Sequence, residues 1–139
     1  MFHHILVPTD LTEKGLKALD AAVNLAVHDG GRITLLHVIE TIEDTGSDDF
    51  RDFYLQIEKR ARKKMNQMAA KVEADQPAVS KEIVYGKRVK EILRFAEEKG
   101  IDLIILSSHR VDKEGGLQAW GTISYKVAIL SHCPVLLVK

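Results

Sequence analysis

Several features that would indicate particular functions are missing from this chain of 139 residues. Its 20 basic and 20 acidic side chains cancel, so no net charge attracts nucleic acid or an anionic membrane. No apolar run approaches the length that spans a bilayer, and the N-terminus does not resemble a signal peptide. The single cysteine, Cys133, cannot form an internal disulfide, which fits a reducing compartment. We therefore expect a cytoplasmic protein without nucleic-acid or membrane partners.

The composition that is present is ordinary for a globular domain, with 45% hydrophobic and 29% charged residues. The length suffices to bury a core, so we expect one domain over residues 1–139. Short apolar runs predict strands over 5–7, 33–39, 82–85, 103–106 and 135–138. Between them, apolar residues recur at helical spacing, and the first helix has a buried stripe of Leu16, Leu19, Val23, Ala26 and Val27. This alternation predicts an α/β fold, an open five-stranded parallel sheet with helices on both faces.

A basic run over residues 59–64 lies on the longest predicted helix, which covers 50–72. No aromatic residues interleave with this run, so we interpret it as a solvated helix face rather than a nucleic-acid patch. A histidine and a cysteine, residue types that can be reactive, also have structural interpretations. His37 lies in the middle of a strand and is expected to be a core histidine with a hydrogen-bond partner, and Cys133 is expected to be a small buried hydrophobe.

Polar residues follow the first and fourth predicted strands, at the point where each strand ends. Pro8 ends the first strand and is followed by Thr9 and Asp10, and the fourth strand is followed by Ser107, Ser108, His109 and Arg110. A new helix can begin at Gly121 and Thr122, and a helix N-terminus attracts anions. Ligands of parallel sheets bind at the carboxyl edge, where the strand order reverses. If the first and fourth strands are neighbours, the pattern predicts a site for the phosphates of a nucleotide.

At these residues the chain resembles the universal stress protein family, over essentially its whole length. The segments that carry the resemblance are 5–10, 35–39, 107–110, 121–122 and 133–138. The resemblance implies the adenine nucleotide alpha hydrolase-like architecture with strand order 3-2-1-4-5, and a homodimer formed through the last strand. It also implies that the chain binds an adenine nucleotide, ATP or AMP, in a regulatory stress-response role.

The same resemblance implies a role for each site residue. Pro8, Thr9 and Asp10 would lie along the adenosine, with Asp10 accepting hydrogen bonds from the ribose hydroxyls. Val38 would meet the adenine through its backbone. The phosphates would be enclosed by two groups of residues: Ser107, Ser108, His109 and Arg110 on one side, and Gly121, Thr122 and Ile123 on the other. Asp10 and Thr122 also suit helix N-caps, and that structural role can coexist with ligand binding.

The phosphate loop departs from the usual family pattern, Gly-x-x-Gly, nine residues, then Gly-Ser or Gly-Thr. Ser107 and Arg110 stand at the two glycine positions, and ten residues separate Arg110 from Gly121. Serine and arginine do not freely adopt the positive φ of glycine, although Arg110 can supply charge. The substitutions favour an alternative, a dimeric interaction module of the same family that binds no nucleotide and acts through an unknown protein partner.

Enzymatic activity has little support in the sequence. No acid–base pair or nucleophile–base set stands at plausible spacing, so we name no catalytic residue and expect at most slow ATP hydrolysis. A nucleotidyl transferase would need a His-x-x-His signature after the first strand, and a receiver domain would need an aspartate where Tyr85 and Gly86 stand. His109 lacks partners at metal-ligand spacing, so we predict no protein metal site. Whether Mg²⁺ accompanies the nucleotide is left open.

Overall fold

The computed structural model describes residues 1–41, 50–72, 78–108 and 122–139. Strands and helices alternate along the chain, which confirms the predicted order. The elements are β1 (His4–Pro8), α1 (Gly15–Asp29), β2 (Arg32–Ile39), α2 (Arg51–Val72), β3 (Val79–Tyr85), α3 (Arg88–Glu98), β4 (Leu103–Ser107), α4 (Ile123–Leu130) and β5 (Val135–Val138).

The five strands form one parallel sheet in the order β3-β2-β1-β4-β5, which confirms the predicted topology. β1 and β4 are neighbours, with Ile5 opposite Leu103 and Leu6 opposite Ile104. Because β2 and β4 flank β1 on opposite sides, the chain reverses its direction of winding between them. The crevice expected at such a reversal therefore lies at the carboxyl ends of β1 and β4.

Helices cover both faces of the sheet, and each face has its own core cluster. In β1, Ile5 and Val7 pack with α1 and α2, whereas Leu6 faces the opposite cluster, built with α3 and α4. These three side chains are fully buried, as is Ile104 of β4. Burial on both faces explains why the central strands have unbroken apolar sequences instead of alternating ones.

β3 is longer than the sequence pattern predicts, because it begins at Val79 instead of residue 82. Val79 is buried and pairs with Ile33, and the pairing continues to Tyr85 opposite Ile39. β3 lies at an edge of the sheet, where polar residues such as Ser80 and Glu82 are exposed on the less covered face. Those polar residues interrupted the apolar run that marks a buried strand, so the predicted boundary was wrong by three residues.

α1 also differs from expectation at both ends. It begins at Gly15 with Lys14 at the N-cap position, and no side chain caps it there. Asp10, which suits a helix N-cap, therefore does not cap α1. Near the other end, Val27 is 52% exposed, although the apolar stripe predicted it to be buried. The buried residues of α1 are Gly15, Ala18, Leu19, Ala22, Val23 and Ala26. Val27 follows Ala26 by one residue and so lies about 100° around the helix from it, beside the buried face.

Candidate functional site

A cavity of about 510 Å³ opens at the carboxyl ends of the strands, and we call it the strand-end cavity. Its walls come from the β1–α1 segment, the end of β4, the start of α4 and the end of β5. It brings together the described members of the predicted site, which are Pro8, Thr9, Asp10, Val38, Ser107, Ser108, Thr122 and Ile123. The other predicted members, His109, Arg110 and Gly121, lie outside the described residues.

The segment between β1 and α1 is shaped by its own side chains. The Leu11 N–H donates to Thr9 Oγ1 at 3.0 Å, and both the N–H and the hydroxyl of Thr12 donate to Asp10 Oδ1, at 2.9 and 2.6 Å. Leu11 itself has a φ of 70°, a left-handed conformation that is uncommon outside glycine. Asp10 therefore closes a local turn at the cavity wall and does not cap α1, so that alternative for Asp10 is wrong.

The Asp10 carboxyl has a pKa below its usual value. Its partial burial acts to raise the pKa, but hydrogen bonds from the Thr12 side chain and from backbone N–H groups outweigh that effect. The positive charge of Arg88 lowers the pKa further. Asp10 is consequently ionised at neutral pH, in the state that accepts hydrogen bonds from a diol.

The backbone of Thr9 is fixed from the neighbouring strand. Its N–H donates to the Leu36 carbonyl at 2.8 Å, which continues the β1–β2 pairing past Pro8. Its carbonyl lies 2.9 Å from His37 Nδ1, and His37 is only 9% exposed. His37 is therefore a buried histidine with a hydrogen-bond partner, as predicted. Its contact with the Thr9 carbonyl fixes the backbone of this part of the cavity wall.

Hydroxyl groups gather at the β4 and α4 side of the cavity. Ser108 Oγ lies 3.1 Å from Ser124 Oγ, and Thr122 Oγ1 lies 3.2 Å from that same oxygen; these three residues are called the hydroxyl cluster. Ser107 Oγ donates to the Lys14 carbonyl at 2.6 Å and so ties the end of β4 to the start of α1. Thr122 occupies the N-cap position of α4, but its hydroxyl makes no capping hydrogen bond to the helix backbone.

The side of the cavity toward the sheet is apolar. Val38 and Leu106 are each 5% exposed, and Ile92 of α3 is 3% exposed. Together with Leu36 and Ile123 they offer a surface suited to a flat aromatic base. Leu36 and Ile92 were not predicted as site residues. Leu36 lies within an apolar run and Ile92 on a helical stripe, patterns that equally describe ordinary core positions.

Four basic residues line the cavity, and none of them was predicted as a site residue: Lys14, Lys17, Arg88 and Lys139. Among the described lining residues, Asp10 has the one carboxylate side chain. Arg88 also forms an ion pair with Glu40, at 3.8 Å between Nε and Oε1. Asp10 and Ser108 were predicted because they follow the ends of strands. The same criterion could have found Arg88 and Lys139, which follow β3 and β5.

The basic residues near the start of α1 lie where they are unfavourable to an isolated helix. Lys14 is its N-cap residue, Lys17 lies in its first turn, and that turn contains no acidic residue. The N-terminus of a helix carries a partial positive charge, so nearby cations cost about 0.3–1 kcal/mol. A bound anion would attract both lysines and the positive end of the helix and would offset this repulsion, so the arrangement favours anion binding at this end of the cavity.

A second, open depression of about 680 Å³ runs along α2. Its lining belongs to that one helix and consists of Lys59, Arg60, Arg62, Lys63, Asn66, Gln67 and Ala70. Arg62 pairs with Glu58 one turn away at 3.5 Å. Among the described residues, no second element lines this depression beside the basic run, which agrees with its interpretation as a solvated helix face.

Two further functional classes can be compared with the described part of the chain. Within it, no group of three or more His, Cys, Asp or Glu side chains is arranged to hold a metal ion. No helix there is both long enough and apolar enough to cross a membrane.

The profile of the Universal stress protein family matches residues 1–139. The chain belongs to the universal stress protein family. It is 35% identical over 156 residues to the Universal stress protein YxiE of Bacillus subtilis, with 100% of both chains covered. It is similar to the solved structure of the protein MJ0577 of Methanocaldococcus jannaschii, with 30% identity, a TM-score of 0.82 and coverage of 100% and 96% of the two chains.

Two more distant structures share the fold of this universal stress protein and were solved with nucleotides. One is a universal stress protein in complex with cAMP, at 18% identity and a TM-score of 0.74, covering 99% of this chain and 97% of the other. The other is the universal stress protein from Archaeoglobus fulgidus in complex with dAMP, at 13% identity and a TM-score of 0.71, covering 100% and 98%. At these identities the likeness establishes the fold.

Proposed function

We propose that this chain binds an adenine nucleotide, ATP or AMP, in the strand-end cavity and acts as a regulatory protein of the stress response. One observation carries the proposal: a cavity with an apolar wall, a hydroxyl cluster and four basic residues lies at the strand-order reversal. Its volume of about 510 Å³ is within the usual range for small-molecule sites. The complexes of related folds with cAMP and dAMP add support.

Each part of the cavity suits one part of the nucleotide. The adenine would lie against Val38, Leu36 and Ile92, and the ionised Asp10 would accept hydrogen bonds from the ribose hydroxyls. The first phosphate would contact the hydroxyl cluster and the N–H groups at the start of α4. His109, Arg110 and Gly121 remain predicted members of the phosphate site.

The role of Asp10 can be tested by Asp10→Asn with isothermal titration of ATP and of AMP. We expect affinity for both nucleotides to fall about tenfold, because both contain the ribose and hydrogen bonds to a charged group contribute about 1.5–3 kcal/mol. Folding should change little, since the asparagine carbonyl can still accept from Thr12. The matched control is Asp20→Asn, an exposed aspartate on α1 outside the cavity lining.

Two results would contradict this proposal. If the desalted wild-type protein binds neither nucleotide, the cavity has another function. If Asp20→Asn weakens binding as much as Asp10→Asn, the ribose does not lie at Asp10. Repeating the titration with EDTA tests for Mg²⁺, and measuring released phosphate tests our expectation of little or no ATP turnover.

The second candidate function is the dimeric interaction module, and two observations favour it. Ser107 stands where the family's phosphate loop has a glycine, and its hydroxyl is already bonded to the Lys14 carbonyl. Leu136, on the edge strand β5, is 41% exposed, which suits pairing with a second copy. A protein that forms dimers but binds neither ATP nor AMP would favour this function over nucleotide binding.

We also propose that the protein acts in the cytoplasm, through a protein partner still to be identified. The lone Cys133 supports a reducing compartment, since no second cysteine is available to it within the chain. Fractionation of cells that produce the protein, followed by immunodetection, tests the location.

A further inference from the structure

Lys139 and Tyr125 form a pair at the β5 end of the strand-end cavity. Lys139 Nζ donates a hydrogen bond to the Tyr125 hydroxyl at 2.5 Å and lies 4.7 Å from the centre of its ring. The preceding residue, Val138, is held to the end of β4 because its carbonyl accepts from the Ser108 N–H at 2.7 Å. The backbone that leads to Lys139 is therefore fixed to the end of β4, and the ammonium itself is held by the hydroxyl and the ring of Tyr125.

The pair is also connected to the hydroxyl cluster, through a hydrogen bond between Ser108 and Tyr125. The pKa of Tyr125 is lowered, first by the hydrogen bond from Lys139, next by one from Ser108, and also by the charge of Lys139. Ser108 in turn lies 3.1 Å from Ser124. Tyr125 is not among the residues that line the cavity, whereas Lys139 and Ser108 are. Tyr125 is therefore a positioning residue, and Lys139 is the group that can contact a ligand.

The order of the strands gives the direction in which a nucleotide would extend. The lining residues follow the sheet from Val38 on β2, through Asp10 after β1 and Ser107 on β4, to Val138 and Lys139 at β5. Three strand spacings separate β2 from β5, a distance of about 14 Å. With adenine at Val38 and ribose at Asp10, the first phosphate falls near β4, and only a longer phosphate chain extends toward β5.

We propose that Lys139, held in place by Tyr125, binds the phosphates beyond the first, so that the cavity selects ATP and ADP over AMP. This inference rests on the proposed nucleotide-binding function. An ammonium is a point charge that binds phosphate without the close backbone approach that glycine provides. Lys139 thereby supplies, from β5, part of the phosphate binding that Ser107 cannot provide through a glycine backbone.

The test is isothermal titration of ATP, ADP and AMP into wild type, Lys139→Gln and Lys139→Arg. Lys139→Gln should weaken ATP binding about tenfold, with less than about a twofold effect on AMP, because it removes one charged hydrogen bond to a distal phosphate. Lys139→Arg keeps the charge and should restore the preference for ATP. The matched control is Lys126→Gln, an exposed lysine on α4 that does not line the cavity.

Tyr125→Phe tests the positioning role separately. It removes the hydroxyl but keeps the ring, so ATP affinity should fall about threefold, less than in Lys139→Gln. The double variant should bind ATP no more weakly than Lys139→Gln alone, because Tyr125 acts through the lysine. Circular dichroism of each variant checks that the fold is intact.

The outcomes separate this inference from the proposed function. If wild type and Lys139→Gln have the same ratio of ATP to AMP affinity, Lys139 does not select phosphates, although nucleotide binding stands. If Lys126→Gln changes that ratio as much as Lys139→Gln, the effect is one of general charge. If wild type binds no nucleotide at all, both the inference and the proposed function are wrong.

Discussion

At the scale of single residues, the environment of a side chain matters more than its type. Tyr85 and Tyr125 show this, because their pKa values shift in opposite directions. Partial burial of Tyr85, and then its hydrogen bond to Glu58 at 2.5 Å, raise its pKa to about 12. The pKa of Tyr125 is lowered by the hydrogen bond from Lys139, which favours the ionised phenol.

This difference predicts the ultraviolet titration of the tyrosines. Wild type should show one phenol that ionises near pH 12, and Tyr85→Phe should remove that step. Tyr125→Phe is the control, because it should leave the step near pH 12 in place. A step that persists in Tyr85→Phe would mean that Glu58 and burial do not hold the Tyr85 proton.

The same shift makes stability depend on pH. The pKa of Tyr85 is higher in the folded chain than its ordinary value of 10, so the folded state binds the proton more tightly. Its contribution to the free energy of unfolding is fully present below pH about 10 and is lost as the pH rises through about 12. Urea denaturation across this range should show a smaller loss in Tyr85→Phe than in wild type, and equal losses would contradict the assignment.

At the scale of elements, the turn between β3 and α3 depends on glycine. Gly86 has a φ of 145°, and its N–H donates to the Ile39 carbonyl at 3.0 Å, joining the ends of β2 and β3. A Cβ at this position would lie 2.7 Å from atoms of the Glu91 side chain, which is buried and paired with Arg94. Position 86 therefore requires both a positive φ and the absence of a side chain. Arg88, two residues later, lines the cavity.

Gly86→Ala should lower the free energy of unfolding by about 2–3 kcal/mol, from the positive φ and from displacement of Glu91. Gly30→Ala is the matched control, because Gly30 has a φ of 65° but nothing within 4 Å of the added Cβ. It should cost only about 1 kcal/mol. Urea denaturation measures both, and equal losses would show that the space beside Glu91 is not limiting.

At the scale of the whole molecule, β5 forms one edge of the sheet and presents an apolar side chain there. β5 pairs with β4 on one side, and Leu136 points away from the second core cluster that Leu137 packs against. An apolar edge of this kind favours pairing with another strand. Our proposal of a homodimer through β5 therefore places Leu136 in the contact.

Leu136→Lys should convert the dimer to a monomer in sedimentation experiments, because a charge would be buried between the two edges. Leu136 suits this test better than Leu137, whose replacement would also disturb the core. The control is Leu55→Lys on α2, where the leucine is 53% exposed. A Leu136→Lys variant that stays dimeric places the interface elsewhere, and a monomeric wild type rules the dimer out.

Most of the fold could be predicted from the sequence, because the signals are local. The apolar run 103–106 and the helical stripe of α1 depend on neighbouring residues, so their element types were recognisable. The ends of strands depend on packing, which local sequence does not show. At Val79, burial opposite Ile33 extends β3 three residues before the predicted start. The strand order came from the family resemblance, since short apolar runs do not state which strand pairs with which.

The sequence by itself determined which residues end the strands, and hence that Asp10, Ser107 and Thr122 were candidates for a site. Only the tertiary structure decided that Lys14, Arg88 and Lys139 join them, since these residues come from separate elements that meet at one edge of the sheet. It also decided that Asp10 closes a turn instead of capping α1. The physical reason is that local periodicity sets the elements, whereas the convergence of charges depends on how distant segments pack.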